Sequence, residues 1–352
     1  VNEQELAAAV DVPALEKWID DNVGVRNGPL RVSHLSGGSS NLTLRIDDDS
    51  NSYVLRRPPL GAFLATANDM GREFKVQKGL YPTDVPVPKP VAFCESDDVI
   101  GAQFYLMEFL DGVVYTDAEK VAHLNEAQSR DATFALIDNL ARVHAVDFEK
   151  VGLSDLGKPE GFVTRQVSRW CGQWEKSKQR DLPAIDELAR RLERSIPTTS
   201  DSSIVHGDYS FNNTMWDRND PTKMIAILDW EMSTLGDPLT DVGMVAVYWG
   251  AAGERMWRGR SPQPHRANPG FGSVDQLLAR YEKQSGRAID NIDFYQVLAV
   301  FKLAIITEGA LARIRRTRPD ESTAHVEQTI ADLAAIALEI ADSSSMQSLR
   351  GA

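Results

Sequence analysis

Three oxygen-bearing side chains at close spacing are the part of this chain best suited to chemistry. The stretch Ile204-Val-His-Gly-Asp-Tyr-Ser-Phe-Asn-Asn213 puts Asp208 and Asn213 five residues apart on one loop. A second carboxylate, Asp229, ends the apolar, strand-like run Ile225-Ala-Ile-Leu-Asp229. Moving a phosphoryl group from ATP to an alcohol needs such a set: one carboxylate to take the hydroxyl proton, then an amide oxygen and a second carboxylate to hold Mg²⁺. Asp208 is the expected base, a role worth about 10²–10⁴ in rate. Asn213 and Asp229 are the expected metal ligands, because Mg²⁺ favours hard oxygens and keeps several waters beside them. His206 reads as a brace for the loop.

The order of these residues is that of the kinase signature, with differences. His206-Gly-Asp208 replaces His-Arg-Asp, and Asp229-Trp-Glu231 stands where protein kinases carry Asp-Phe-Gly. In these replacements, and in Gly236-Asp-Pro238 with Asp241 further on, the chain resembles the aminoglycoside phosphotransferase family. Arg165-Gln-Val-Ser-Arg-Trp-Cys-Gly-Gln-Trp174 and Phe301-Lys-Leu-Ala-Ile-Ile-Thr-Glu-Gly309 with Arg313 resemble one branch of it, the kinase-like domain fused to certain acyl-CoA dehydrogenases. The resemblance runs from about residue 30 to 320. It implies an α+β, two-lobed protein-kinase-like fold, with a small β-rich lobe over residues 1–110 and a larger, mainly helical lobe over 111–352.

The elements that must position the site follow in that order. Residues 30–46 read as strand, Gly-rich turn, strand, with Gly37-Gly-Ser-Ser-Asn41 at the turn. Glycine lets backbone approach a phosphate closely, and hydroxyls and exposed N–H groups can bind its oxygens. Gly38, Ser39, Ser40 and Asn41 are therefore candidate phosphate contacts. Tyr53-Val-Leu-Arg-Arg57 is a third strand, and alternation sends Arg56 and Arg57 to opposite faces. Arg56 occupies the position of the usual phosphate-binding lysine and is favoured over Arg57. On the helix that follows, from about Asn68 to Leu80, Met70 and Phe74 are spaced to face a core, and Glu73 is the expected partner of the arginine. Phe104-Tyr-Leu-Met-Glu-Phe-Leu110 looks like the hinge, where adenine would meet backbone near Glu108 and Leu110. Asp111-Gly112 marks the lobe boundary.

Beyond it helical periodicity dominates: 131–146, 161–177, 184–195, 274–285, 292–316 and 322–340. Trp170 and Trp174, one turn apart, read as core. Arg165, Arg169, Lys302 and Arg313 are candidates to line an acceptor site that takes an acyl-CoA phosphate. Residues 251–273 read as a long Gly/Pro/Arg-rich loop, a substrate lid or a disordered segment, and the tail from Asp342 as mobile. Asp237 and Asp241 read as structural supports.

Composition excludes several classes. A net charge of −13 over 352 residues argues against nucleic acid and anionic membrane as partners. Two distant cysteines, Cys94 and Cys171, speak against a disulfide framework or a zinc site and for buried thiols in a reducing cytosol. No apolar run reaches about 18 residues without a charge, and the acidic N-terminal segment lacks a signal pattern. The expectation is a cytoplasmic enzyme that uses ATP and Mg²⁺ to phosphorylate a small-molecule hydroxyl, with a hydroxyacyl-CoA-like acceptor ahead of an aminoglycoside. A nucleotide-binding pseudokinase is the rival from another class, supported by arginine at the lysine position. A protein kinase is disfavoured by the lack of an Ala-Pro-Glu segment after Asp229.

Overall fold

The computed structural model describes residues 6, 8–35, 41–60, 69–198, 201–256, 262–318, 320 and 322–351. The phosphate-loop candidates Gly38, Ser39 and Ser40 lie outside the described residues. Helix α1 (Val12–Asn22) begins where the Asp11 side chain accepts from the Ala14 N–H. Five strands then build one antiparallel sheet: β1 (Arg31–His34), β2 (Leu42–Asp47), β3 (Ser52–Arg57), β4 (Pro90–Cys94) and β5 (Phe104–Glu108), in the order β1-β2-β3-β5-β4. The period of two decides its faces. Leu42, Leu44, Ile46, Leu55, Phe104 and Leu106 pack on α1, while Val54, Tyr105 and Met107 meet Met70 on the other side.

Helix α2 (Met70–Leu80) crosses that second face and is capped by Asp69, which accepts from the Arg72 N–H. Its buried stripe is Met70, Glu73, Val76, Gln77 and Leu80, a three-and-four spacing that places one carboxylate on the inner face. Phe74 is partly buried and packs against the same cluster as Met70, with its ring 5.8 Å from those of Phe93 and Tyr105, so both residues face the core as expected.

The larger, helical part contains two small sheets: β6 (Gly112–Val114) with β8 (Thr214–Asp217) and β9 (Met224–Ile227), and β7 (Ser203–Val205) with β10 (Thr234–Gly236). Around them stand α3 (Glu126–Ala145), α4 (Phe162–Ser177), α5 (Pro183–Arg194), α6 (Leu239–Trp249), α7 (Ala251–Met256), α8 (Val274–Ser285), α9 (Ile292–Thr317) and α10 (Ala324–Ser343). Helix α3 starts five residues ahead of its expected onset, because Asn125 and Gln128 form a reciprocal capping box. One core gathers Leu136, Leu140, Tyr209, Trp216 and Trp230; another gathers Trp170, Trp174, Leu188, Phe301 and Leu333. Both tryptophans of α4 are thus core residues.

Two expectations are corrected. The described part of 251–273 is not a bare loop: α7 opens it, two short 3₁₀ turns follow at Pro264–Arg266 and Pro269–Phe271, and His265 stacks on Trp249 at 4.5 Å. Nor is the tail loose. Leu349 is fully buried, and the Arg194 guanidinium donates to the carbonyls of Ser348 and Arg350 at 2.7 and 2.6 Å. Apolar burial plus two charge-assisted bonds offset the entropy of ordering those few residues. Among the described residues no helix is long and apolar enough to cross a membrane.

Candidate active site

The loop after β7 carries His206, Gly207 and Asp208, and it is held from below by Asp241 on α6. Asp241 is buried; its two oxygens accept from the His206 N–H at 2.7 Å and the Gly207 N–H at 2.8 Å. Nε2 of His144 lies 3.2 Å from the same carboxylate, and its Nδ1 meets the Tyr281 hydroxyl. Burial alone would raise the pKa of Asp241, but the hydrogen bond and charge of His144 and the hydrogen bond from the Gly207 N–H hold it below the ordinary value. Gly207 has φ +87°, and a Cβ there would come within 2.8 Å of the Met232 carbonyl oxygen, so glycine is required by both conformation and space.

His206 braces the loop as read from sequence. Its Nδ1 accepts from the Asp208 N–H at 3.2 Å, which leaves Nε2 to donate to the Leu228 carbonyl at 2.9 Å. That bond ties this loop to the segment between β9 and Asp229. The Leu228 N–H returns a bond to the Asn213 carbonyl at 2.8 Å. Asp208 itself receives Nδ2 of Asn213 on Oδ2 at 3.0 Å and the Tyr248 hydroxyl on Oδ1 at 3.0 Å. Burial raises its pKa, opposed by His206, Tyr248, Lys302 and Asn213.

Asp229 has φ +63°, an uncommon conformation for a residue with a Cβ. From that bend its Oδ1 meets Nη2 of Arg56 at 3.1 Å, and the same nitrogen lies 3.1 Å from Oε1 of Glu73. Arg56, on β3, therefore joins the buried helix carboxylate to the loop carboxylate. Burial works against its charge, yet Tyr105, Glu73 and Asp229 hold its pKa above the ordinary value. Burial pushes Glu73 up to about 7, against the pull of Arg56. Arg57 points to the opposite face, as strand parity requires, and is neither a solvated edge residue nor near the site. Its guanidinium is buried against the carbonyls of Ala9 and Ile100.

The donor set fits Mg²⁺. Nδ2 of Asn213 is committed to Asp208, which leaves its amide oxygen as a hard ligand, and the Leu228 N–H bond to the Asn213 carbonyl ties that turn to the segment carrying Asp229. Asn41, the described end of the Gly-rich turn, donates from Nδ2 to Oε2 of Glu231 at 3.0 Å. At the hinge, the Glu108 N–H bonds the Lys89 carbonyl and its carboxylate accepts the Lys89 N–H at 2.6 Å. Glu108 is thereby spent largely on strand pairing, and Leu110 follows it, partly exposed.

A cavity of about 460 Å³ opens beside the loop, walled by Phe162 and Trp170 and bearing Arg72, Arg169, Lys302 and Glu231. Lys302 donates to the Gly207 carbonyl at 3.3 Å; burial draws its pKa down while Asp208 and Asp241 oppose the shift. Arg72 caps the carbonyls of Leu156 and Ser233. Of the four cations singled out in the sequence, Arg169 and Lys302 reach this cavity. Arg165 instead bonds the carbonyls of Glu160 and Lys158, and Arg313 is exposed on α9. Sequence reasoning missed Tyr248 and His144. Tyr248 sits in the apolar run 242–249, where no polar periodicity marks it, and His144 lies at the end of an ordinary amphipathic helix.

A small antiparallel lobe over a helical one, with this loop beneath it, defines a two-lobed protein-kinase-like fold. The profile of the phosphotransferase enzyme family matches residues 31–277, and the chain belongs to that family. It is 30% identical to acyl-CoA dehydrogenase family member 11 of Rattus norvegicus over 94% of this chain and 43% of that protein. The Gallus gallus counterpart is 32% identical over 92% of this chain and 42% of its own length. The chain thus spans less than half the length of these curated relatives. A candidate aminoglycoside phosphotransferase from Ralstonia eutropha superposes with a TM-score of 0.79 and 34% identity, covering 93% of this chain and 96% of that one. A thermostable mutant of aminoglycoside phosphotransferase APH(4)-Ia, in a ternary complex with ADP and hygromycin B, shares the fold at TM-score 0.60 and 14% identity, covering 94% of this chain and 100% of that one.

Proposed function

We propose that this protein transfers the γ-phosphoryl group of ATP to a hydroxyl of a small molecule. The observation that carries the reading is the hydrogen bond of Asn213 to Asp208, with Leu228, next to Asp229, bonded to the same turn and Arg56 bridging Asp229 to Glu73. In this reading Asp208 accepts the acceptor's hydroxyl proton while the new P–O bond forms and the bond to the ADP oxygen breaks. Arg56, Gly38, Ser39, Ser40 and Asn41 hold phosphates, with Glu73 fixing Arg56. Backbone near Glu108 and Leu110 meets adenine, so that residues 1–110 serve the nucleotide and 111–352 the acceptor. Asn213 and Asp229 would hold Mg²⁺, which neutralises phosphate charge when bound. The residues contribute mainly position and charge. The reaction belongs in the cytoplasm on this account.

For the acceptor, the cavity beside Gly207 supports a molecule with an apolar body and a negative group. Phe162 and Trp170 offer apolar surface, and Arg169 and Lys302 offer positive charge. A hydroxyacyl-CoA-like compound suits that lining better than a polycationic aminoglycoside. The kinship with acyl-CoA dehydrogenase family members favours the same class.

The test is transfer of labelled γ-phosphate from Mg-ATP to hydroxyacyl-CoAs, aminoglycosides, choline-like alcohols and a generic protein, with Asp208→Ala as control. Label on a hydroxyacyl-CoA that vanishes in the variant supports the whole reading. Label confined to aminoglycosides overturns the acceptor class alone. Absence of label on every acceptor favours the pseudokinase.

A further inference from the structure

The loop residues 206–208 are gripped by one helix at two levels. At its first turn Asp241 accepts the N–H groups of His206 and Gly207. Seven residues further along α6, two turns on and therefore on the same face, the Tyr248 hydroxyl donates to Oδ1 of Asp208 at 3.0 Å. Asn213, from the short turn at 211–213, holds the other oxygen at 3.0 Å. The Asp208 carboxylate is thus clamped from two elements on opposite sides.

That clamp has a specific mechanical effect. The last torsion of an aspartate is broad and roughly two-fold, so a carboxylate bonded at one oxygen can still swing. A donor on each oxygen stops the swing. Each carboxylate oxygen also has two acceptor positions, so Tyr248 uses one on Oδ1 and leaves one for an incoming hydroxyl. The phenol is well placed to stay a donor, since burial and the neighbouring Asp208 raise its pKa well above the ordinary value. Among the described residues Tyr248 is the donor on Oδ1; Lys302 donates to the Gly207 carbonyl, and both nitrogens of His206 are engaged by the loop backbone. On its far side Tyr248 borders a small cavity lined by Tyr209, Phe211 and His265.

We propose that Tyr248 is a positioning residue for this reaction, fixing the rotation of the Asp208 carboxylate so that the free position on Oδ1 faces the acceptor hydroxyl. The proposal rests on the phosphotransfer reading given above. Tyr248→Phe keeps the ring and removes only the donor. With the acceptor that the wild-type protein phosphorylates, kcat should fall about tenfold to a hundredfold, the range expected when a reacting group is misplaced by a fraction of an ångström to an ångström. KM for ATP should stay unchanged, because on the reading above other residues hold the nucleotide. An unchanged kcat overturns the proposal. So does a raised kcat, which would make the hydroxyl a competitor of the acceptor.

A second measurement needs no turnover. A double-mutant cycle in unfolding stability, built from Tyr248→Phe and Asp208→Asn, should show non-additivity if the two side chains act on each other. Additive effects overturn the proposal whatever the protein phosphorylates. A wild-type chain that transfers no phosphate, in a cycle that still shows coupling, defeats the phosphotransfer reading and with it the catalytic role, while leaving the contact itself established.

Discussion

Asp241→Asn perturbs one buried group and should loosen the whole loop. In the native protein two separate oxygens of Asp241 accept the N–H groups of His206 and Gly207, at 2.7 and 2.8 Å. Asparagine keeps one acceptor and turns the other position into a donor that faces an N–H. Loss of one hydrogen bond to a charged group costs about 1.5–3 kcal/mol, and the buried N–H left without a partner costs about 1–3 kcal/mol more. The expected sum is about 2.5–6 kcal/mol. Spread over 352 residues at about 2.1 cal/mol/K each, the unfolding entropy is roughly 0.7 kcal/mol/K, so Tm should fall by about 3–8 °C.

Scanning calorimetry at pH 7 measures that fall directly, and a pH series adds a sign test. Asp241 has a folded pKa below its ordinary value of 3.8. Its contribution is therefore fully present above that value and is lost as pH drops through the folded pKa. Wild type and variant should differ most near neutrality and converge in acid below about pH 4. A variant that melts within a degree of wild type at pH 7, or a difference that widens in acid, refutes the reasoning.

Glu73→Gln should show the opposite pH sign. Burial raises Glu73 from 4.5 to about 7, so its favourable contribution is complete below pH 4.5 and lost as pH climbs through 7. Wild type should lose stability relative to the variant across that window, and parallel melting profiles would count against it. Arg56→Met leaves Glu73 buried without its cation and should cost about 3–5 kcal/mol; urea unfolding of the double variant with Glu73→Gln should recover much of this. Gly243→Ala puts a Cβ 2.7 Å from the Cβ of Tyr295 and 2.8 Å from its backbone carbonyl carbon. That prises α6 from α9, and urea midpoints should report a loss of about 1–3 kcal/mol.

Where the chemistry depends on neighbours along the chain, the primary structure was legible. Asp208 and Asn213 lie within one turn of chain, and Asp229 follows a short strand, so their spacing already confined all three to one locality. The opposite fates of Arg56 and Arg57 followed from strand parity, because side chains alternate about a two-residue repeat. Glu73 was legible in part. Order along the chain pointed to its pairing with the strand arginine, and Phe74 beside it does pack against the core. The stripe from Met70 through Glu73 to Val76 and Leu80 shows that the carboxylate lies deeper than its aromatic neighbour, a depth that chain order does not give.

Other features belong to the packing of elements remote in sequence. The length of 251–273 suggested a lid or a disordered segment, whereas its described residues form α7 and two short turns, with His265 on Trp249. The tail beyond Asp342 held no periodic signal, and its order comes from Arg194, some 150 residues earlier. The cavity cations Arg169 and Lys302 lie on helices over 100 residues apart, and nothing in local spacing separates them from Arg165 or Arg313. Tyr248 sits in an apolar helical run, and its hydroxyl reaches Asp208 only because α6 passes beneath the loop. Motif spacing and period are properties of a few adjacent residues, so they pointed to the candidate site residues and to the faces of the strands that carry them. Burial, hydrogen-bond partners and shifted pKa values are properties of the space between elements, and these only the packed fold could decide.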